Sequence, residues 1–419
     1  MRHASFLDNA FMTEALKVVR KDSMRRSVCG SALALLLVAA CSATVLGGER
    51  ICCLLIGSVQ PAICPLPGFF REDPLFTYES DPHCAGLDLD ERRRLDRLYF
   101  PRTRQILLTK FDMVFFADPY IDHFTPGQFQ NLYQAFTEDG MPCYFSFGPS
   151  YGHAIQGSIL NDILPISHYH GYIHQSWYPS FRRERDPVYL PFVGLGMEHI
   201  PGSAYGEMKP REGALIWADM VPLNLPWIVS WRPGGKRGGI VWVFADEFNL
   251  DWWGLAQASR DINPYAIDMV ANMVLYSLGK PLIRDIHARR AARHSLCSYR
   301  SEKMLVISIL EWADIFGANT LGLSSEIASL DIEAQKASDM YLQQQYDSCV
   351  STIGRASEKL SEISSQAIRL KDQALFWVYL SEWLAVTSAC MLGSLALWSL
   401  MIRRKLYRAV QTTKLLTEE

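Results

Sequence analysis

The segment Gly148-Pro149-Ser150-Tyr151-Gly152 has the glycine-x-serine-x-glycine spacing in which a sharp turn presents a serine hydroxyl as a nucleophile. A serine hydroxyl is weak alone and needs a neighbouring base. His153 follows three residues later, and Asp246 closes the late apolar run Gly238–Phe244; with Ser150 they make the candidate catalytic set. A second constellation is the H-x-H-x-x-x-H of His168, His170 and His174. On a strand, His168 and His170 share one side, and with Asp246 or Glu247 they are candidate metal ligands. Asp118, Gly148, Gly152, Glu247 and Trp252 are candidate ligand-binding residues, because they stand at or just past the ends of apolar runs. Each set also has a plain reading: a turn packed on a sheet end, and an aromatic loop packed across the body.

The elements that must position these residues are legible as alternation. Ile51–Gly57 (ICCLLIG), Asp112–Ala117 (DMVFFA) and Cys143–Phe147 are short apolar runs. Helical patterns separate them: Leu87–Thr109, broken by Pro101, and a helix opened by Thr125-Pro126 and ended at Gly140. Gly238–Phe244 gives a late strand, and Asn263-Pro264 opens a helix that Gly279 stops. Apolar strands alternating with helices predict a parallel sheet with helices on both faces. Ligands in such sheets bind beyond the carboxyl ends of the strands, where Gly57-Ser58, Asp118-Pro119, Gly148–Gly152 and Asp246-Glu247 fall. Pro165–Pro233 reads as loop-like, aromatic and proline-rich, with short strands.

Two apolar stretches are long enough to meet a membrane. Ala374–Ile402 can cross a bilayer as one helix, and Arg403, Arg404 and Lys405 follow it, which places the C-terminus in the cytoplasm. Ser27–Leu46, after Lys17, Arg20, Lys21, Arg25 and Arg26, has the layout of a signal peptide or a retained anchor. Either reading puts residues 48–373 outside the cytoplasm. The expected division is 1–47 signal or anchor, 48–284 α/β domain, 285–373 membrane-proximal helical module, 374–402 transmembrane helix and 403–419 cytoplasmic tail. Glu382 inside the span points to a partner helix. The module residues between Ile332 and Leu370 show roughly helical apolar spacing, interrupted near Gly354, and predict a small bundle.

The formal charge of −3 over 419 residues gives no electrostatic case for nucleic acid. Ten cysteines show no zinc-type spacing; outside the cell, Cys64 and Cys84 could pair across a loop. No cofactor is expected. The expected partners are the membrane, an integral-membrane or cell-surface protein, and a small-molecule or glycan ligand suited to the aromatic surface around Tyr169, Tyr172, Trp177 and Tyr178.

Four pieces, ICCLLIGS (51–58), DMVFFADP (112–119), YFSFGPSYGHAIQGSILNDILPI (144–166) and GGIVWVFADEFNLDWWG (238–254), together resemble the class I glutamine amidotransferase-like superfamily. The likeness is to its glutamine amidotransferase-like and ThuA-like proteins and covers about residues 50–280. It implies a flavodoxin-like α/β fold: a parallel sheet with helices on both faces, here followed by a small helical module and a C-terminal transmembrane helix. Active members carry a cysteine where this chain has Ser150, and the place of the late histidine-acid pair reads Ala245-Asp246-Glu247-Phe248-Asn249. The resulting expectation is a non-catalytic, membrane-tethered extracytoplasmic binding or assembly protein. The alternatives are an extracytoplasmic serine-dependent hydrolase or amidohydrolase using Ser150, or a metal-dependent enzyme.

Overall fold

The computed structural model describes residues 49–415, apart from 61–62, 84–85, 149–154, 183–185, 249–250 and 255–262, with side chains through 408. The expected N-terminal signal or anchor therefore lies outside the described residues, as do Ser150, Gly152, His153 and Cys84. The strands are β1 (Ile51–Gly57), β2 (Phe76–Pro82), β3 (Met113–Ala117), β4 (Cys143–Ser146), β5 (Ile166–Phe181), β6 (Gly202–Pro210), β7 (Leu215–Val221), β8 (Leu225–Trp231) and β9 (Val241–Phe244). The helices are α1 (Leu66–Glu72), α2 (Leu89–Tyr99), α3 (Arg104–Lys110), α4 (Pro126–Thr137), α5 (Ala266–Ser277), α6 (Ile286–Ile315), α7 (Leu321–Leu342) and α8 (Tyr346–Leu415).

The described strands form one nine-stranded sheet in the order β2-β1-β3-β4-β9-β8-β7-β5-β6. The first five run parallel, and the others join antiparallel. This overturns the expected purely parallel, flavodoxin-like sheet. Residues 165–233, read as mostly loop, supply four antiparallel strands. Their inward residues include the fully buried Trp177, Trp217 and Trp227. Residues 76–82, to which the sequence reading assigned no element, form the edge strand β2. Most of its positions are only partly buried. The strands β3, β4 and β9 are buried at every position, as parallel strands covered on both faces must be.

Local signals place the helices well. Pro101 separates α2 from α3. Thr125 and Gln128 form a reciprocal capping box at α4, with Pro126 in the first turn. The helix α5 lies on the sheet: Ser277 is hydrogen-bonded to Tyr144 of β4 and accepts from the Trp242 indole of β9, both at 2.8 Å.

The helices α6, α7 and the first part of α8 form a bundle. The buried residues Cys349, Ile353, Ala356, Leu360, Ile363 and Ala367 of α8 recur in alternating steps of four and three, the seam spacing of helices packed knobs-into-holes. Gly354 lies inside a continuous helix. The break falls instead at Gln343–Gln345, where Gln344 has φ +60°. A buried ionic network joins the bundle to the sheet domain. Arg289 of α6 binds Asp73 at 2.5 Å and also Asp268 of α5. Arg293 donates to Asp268 at 3.0 Å, and the Tyr341 hydroxyl of α7 donates to Asp73 at 3.0 Å. Beyond residue 373, α8 continues as an apolar helix with its large side chains exposed, among them Phe376, Trp377 and Leu392. By length and composition it can form one membrane span.

Candidate metal centre

The edge formed by the carboxyl ends of the parallel strands gathers most of the titratable groups described below. At its outer end β2 finishes in Asp81-Pro82-His83. The His83 amide donates to the Gly57 carbonyl at the end of β1, 2.8 Å away. Gly57 has φ +119°, and a Cβ there would lie 2.2 Å from the Ala117 carbonyl oxygen, so only glycine lets β1 and β3 approach at this point. Two other elements reach the same spot. The loop after β3 carries Asp122 and His123. The helix α2, capped by Asp88 and Glu91, is mostly polar, and its one buried residue is Asp96.

Asp96 stands between the two imidazoles. One carboxylate oxygen lies 2.9 Å from His83 Nε2 and the other 2.9 Å from His123 Nε2. An oxygen of Asp81 is 3.1 Å from His83 Nε2. Both imidazoles are fully shielded from solvent. Yet the ring nitrogens of His83 and His123, both Asp81 oxygens and Asp96 Oδ1 make no well-directed hydrogen bond. Among the described residues, one donor atom from each of His83, Asp96 and His123 lies within 4.8 Å of the others. Buried polar atoms normally find partners. A carboxylate set between two shielded imidazoles, at ion-pair distance from each, brings three donor atoms into the space that one metal ion would occupy. Two imidazoles and a carboxylate are a donor set that suits zinc, and three protein ligands leave a position for water or substrate.

The surroundings hold this geometry. Phe124 packs edge-on to both rings, at 5.8 Å from His83 and 5.3 Å from His123. Arg92 of α2 donates to Asp122 at 2.9 Å and ties the His123 loop to the helix carrying Asp96. Burial opposes charge on His83, but Asp81 and Asp96 outweigh it and push its pKa up to about 9. Burial also works against ionised Asp96; the two imidazoles outweigh it and hold that carboxyl below its usual range. An open groove lies beside the centre, lined by Asp122 and Phe124 on either side of His123 and by Phe129, Gln156 and Ser158.

Further along the same edge the structure brings together three of the residues singled out from sequence. Gly148 donates its amide to Asp118 Oδ1 at 2.9 Å. A Cβ on Gly148 would meet Asp118 Oδ1 and Glu247 Oε2, each at 2.9 Å. Asp118 has φ +44°, a conformation that aspartate tolerates better than most residues. Tyr172 donates to Glu247 Oε1 at 2.5 Å. Burial, with Asp118 adding its charge, raises the Glu247 carboxyl. Gly148→Ala is expected to cost about 1–3 kcal/mol by overpacking, measured by denaturation. Unchanged stability would mean that the two carboxylates part freely.

Asp246 is turned inward instead. The indoles of Trp227 and Trp253 donate to its two oxygens at 2.6 and 2.8 Å. Trp252 is fully buried, and its indole donates to the Met197 carbonyl at 3.3 Å. These residues belong to a tryptophan core, not to the rim. Burial pushes Asp246 up from 3.8 to about 7. Between those values the folded protein holds a proton that the unfolded chain has released, so raising pH removes stability. The stability of the native protein relative to Asp246→Asn is therefore expected to fall across that window. A pH-independent difference in chemical denaturation would contradict this. His168 and His170 do share one side of β5, stacked with centroids 5.9 Å apart; both are exposed on the β5–β6 ribbon, apart from the converging set.

Sequence reading missed His83, Asp96 and His123. The available signals were an Asp-x-His at 81–83, at the end of β2, and an Asp-His at 122–123, in the loop after β3. The first was hidden because β2 had not been read as a strand.

No family model matches the chain, and no curated protein matches it. Among solved structures, the "mmIFT52 N-terminal domain" aligns with 53% of this chain and 96% of its own length, at 13% identity and TM-score 0.31. That likeness is too low to carry an argument. The amidotransferase-like and flavodoxin-like descriptions are corrected accordingly: no family match supports them, and the mixed sheet departs from them. The expectation of a purely non-catalytic scaffold is corrected by the His83/Asp96/His123 cluster.

Proposed function

We propose that this protein is a membrane-anchored metal-dependent hydrolase whose centre is His83, Asp96 and His123. The observation that carries the reading is the convergence of three buried donor atoms whose ring nitrogens lack well-directed hydrogen bonds. A zinc-class ion held there supplies a polarised water or a Lewis acid. Asp81 stands against the same nitrogen of His83 that faces the centre, and Arg92, Asp122 and Phe124 keep the ligands in register. The groove beside His123 receives the substrate. The position of the centre, at the carboxyl ends of parallel strands, supports the same reading.

The body lies outside the cytoplasm and the C-terminus inside. This orientation rests on Arg403, Arg404 and Lys405 after the span. The test uses the full chain in vesicles, assayed against chromogenic ester, phosphoester and peptide substrates. Turnover that a chelator abolishes, zinc restores and His123→Gln lacks is the expected result. Bound metal without chelator-sensitive turnover of any of these substrates would contradict the hydrolase reading.

A further inference from the structure

The ionic and cation–π contacts of the bundle fix the height of the α6–α7 turn relative to the membrane span. Lys303 of α6 pairs with Asp331 of α7, and Lys359 of α8 pairs with Glu333 of α7. Both α6 and α8 thus run toward the membrane while α7 runs back. Lys371 of α8 lies over the Trp312 ring, 5.5 Å from its centroid, so Trp312 is level with the residue three before the start of the apolar span at Ala374. At about 1.5 Å per residue, Ile315 and the start of α7 reach the level of the first span residues.

That turn exposes large apolar side chains, with the exposed acids Glu311 and Asp314 beside them. Ile315 is 76% and Leu321 78% exposed, and Trp312 keeps part of its ring uncovered. Alongside, Phe376, Trp377 and Tyr379 of α8 are also exposed. Tryptophan and tyrosine favour the headgroup level, where one end of the ring is apolar and the other wet. Scattered exposed apolar residues need no explanation. A cluster at the turn facing the entry of a membrane helix does, and its continuity with the span names the occupant.

We infer that the α6–α7 turn inserts Trp312, Ile315 and Leu321 into the lipid interface beside α8, so that the body is held to the bilayer at two points. The geometry then sets the height and tilt of the metal centre over the membrane, instead of leaving the body on a free-swinging stalk. This inference rests on α8 as the span and is independent of any catalytic activity.

The test compares the full chain with Trp312→Phe in phosphatidylcholine vesicles, plain or brominated in the upper acyl chains. The emission difference between the two proteins reports Trp312. Blue-shifted difference emission that brominated lipid quenches is the expected result. Difference emission quenched by aqueous acrylamide and spared by brominated lipid would overturn the inference. So would emission spared by both, which would mean that protein covers the turn. Leu321→Trp, at an exposed position, adds a second reporter with the same expected and contrary outcomes should Trp312→Phe perturb folding. Quenching of Trp377, Trp383 and Trp398 in the same samples reports the span separately, so failure of the span and failure of the turn are told apart.

Discussion

Removing either imidazole, by His83→Asn or His123→Gln, is expected to abolish tight binding of zinc and the stability that comes with it. An ion that binds only the folded chain stabilises it by about 4 kcal/mol when present at about a thousand times its dissociation constant. Chelation should lower the melting temperature of the native protein and leave both variants nearly unmoved, because their site is already lost. The variants should also resemble the chelated native protein more than the loaded one. Equal melting of native protein with and without chelator would contradict a bound structural or catalytic ion. Phe124→Ala offers a graded control: it leaves every ligand in place and removes the ring that packs against both imidazoles, so weakened but measurable binding is expected.

The second large effect concerns the joint between the sheet domain and the bundle. Asp268→Ala would leave Arg289 and Arg293 buried with only Asp73 to answer two guanidinium charges. Breaking a buried pair from one side costs about 3–5 kcal/mol, because the surviving charge stays desolvated. The exposed pair between Arg104 and Asp139 is the internal comparison; Asp139→Ala should cost less than about 1 kcal/mol. Chemical denaturation of the full chain in detergent measures both. Equal losses for the two variants would show that the buried network carries no special weight. Burial works to raise Asp268, but Arg293 and Arg289 outweigh it and hold its carboxyl below the usual range. A depressed carboxyl contributes stability that is complete above about pH 4 and is lost as the pH falls further. The joint should therefore loosen in acid.

The parallel half of the sheet was legible because it is buried on both faces. Runs such as ICCLLIG and DMVFFA leave little choice of structure. Caps and breakers placed α2, α3, α4 and α5 for the same local reason. The antiparallel half was hidden because its core is built from tryptophans and tyrosines interleaved with prolines, which carry weak periodicity. Asp118, Gly148 and Glu247 were singled out because strand ends are functional places by geometry, and the structure places the three against one another. Asp246 stood in the same sequence position and points the other way, since two indole donors hold it inside. Sequence alone does not say which of two adjacent acids faces the rim. The metal centre was illegible because its three ligands come from an unrecognised edge strand, a polar helix and a loop, at spacings set by the fold. The buried aspartate in a helix of otherwise exposed or half-exposed residues becomes informative only once burial is known.

The central claim is a bound ion, and its most direct measurement is elemental analysis of the full-length protein purified without added metal and dialysed exhaustively. One zinc-class ion per chain, falling to near zero in His83→Asn and His123→Gln while both variants remain folded, is the expected result. Metal-free native protein that also fails to take up zinc on titration, or equal metal content in native protein and variants, would contradict it.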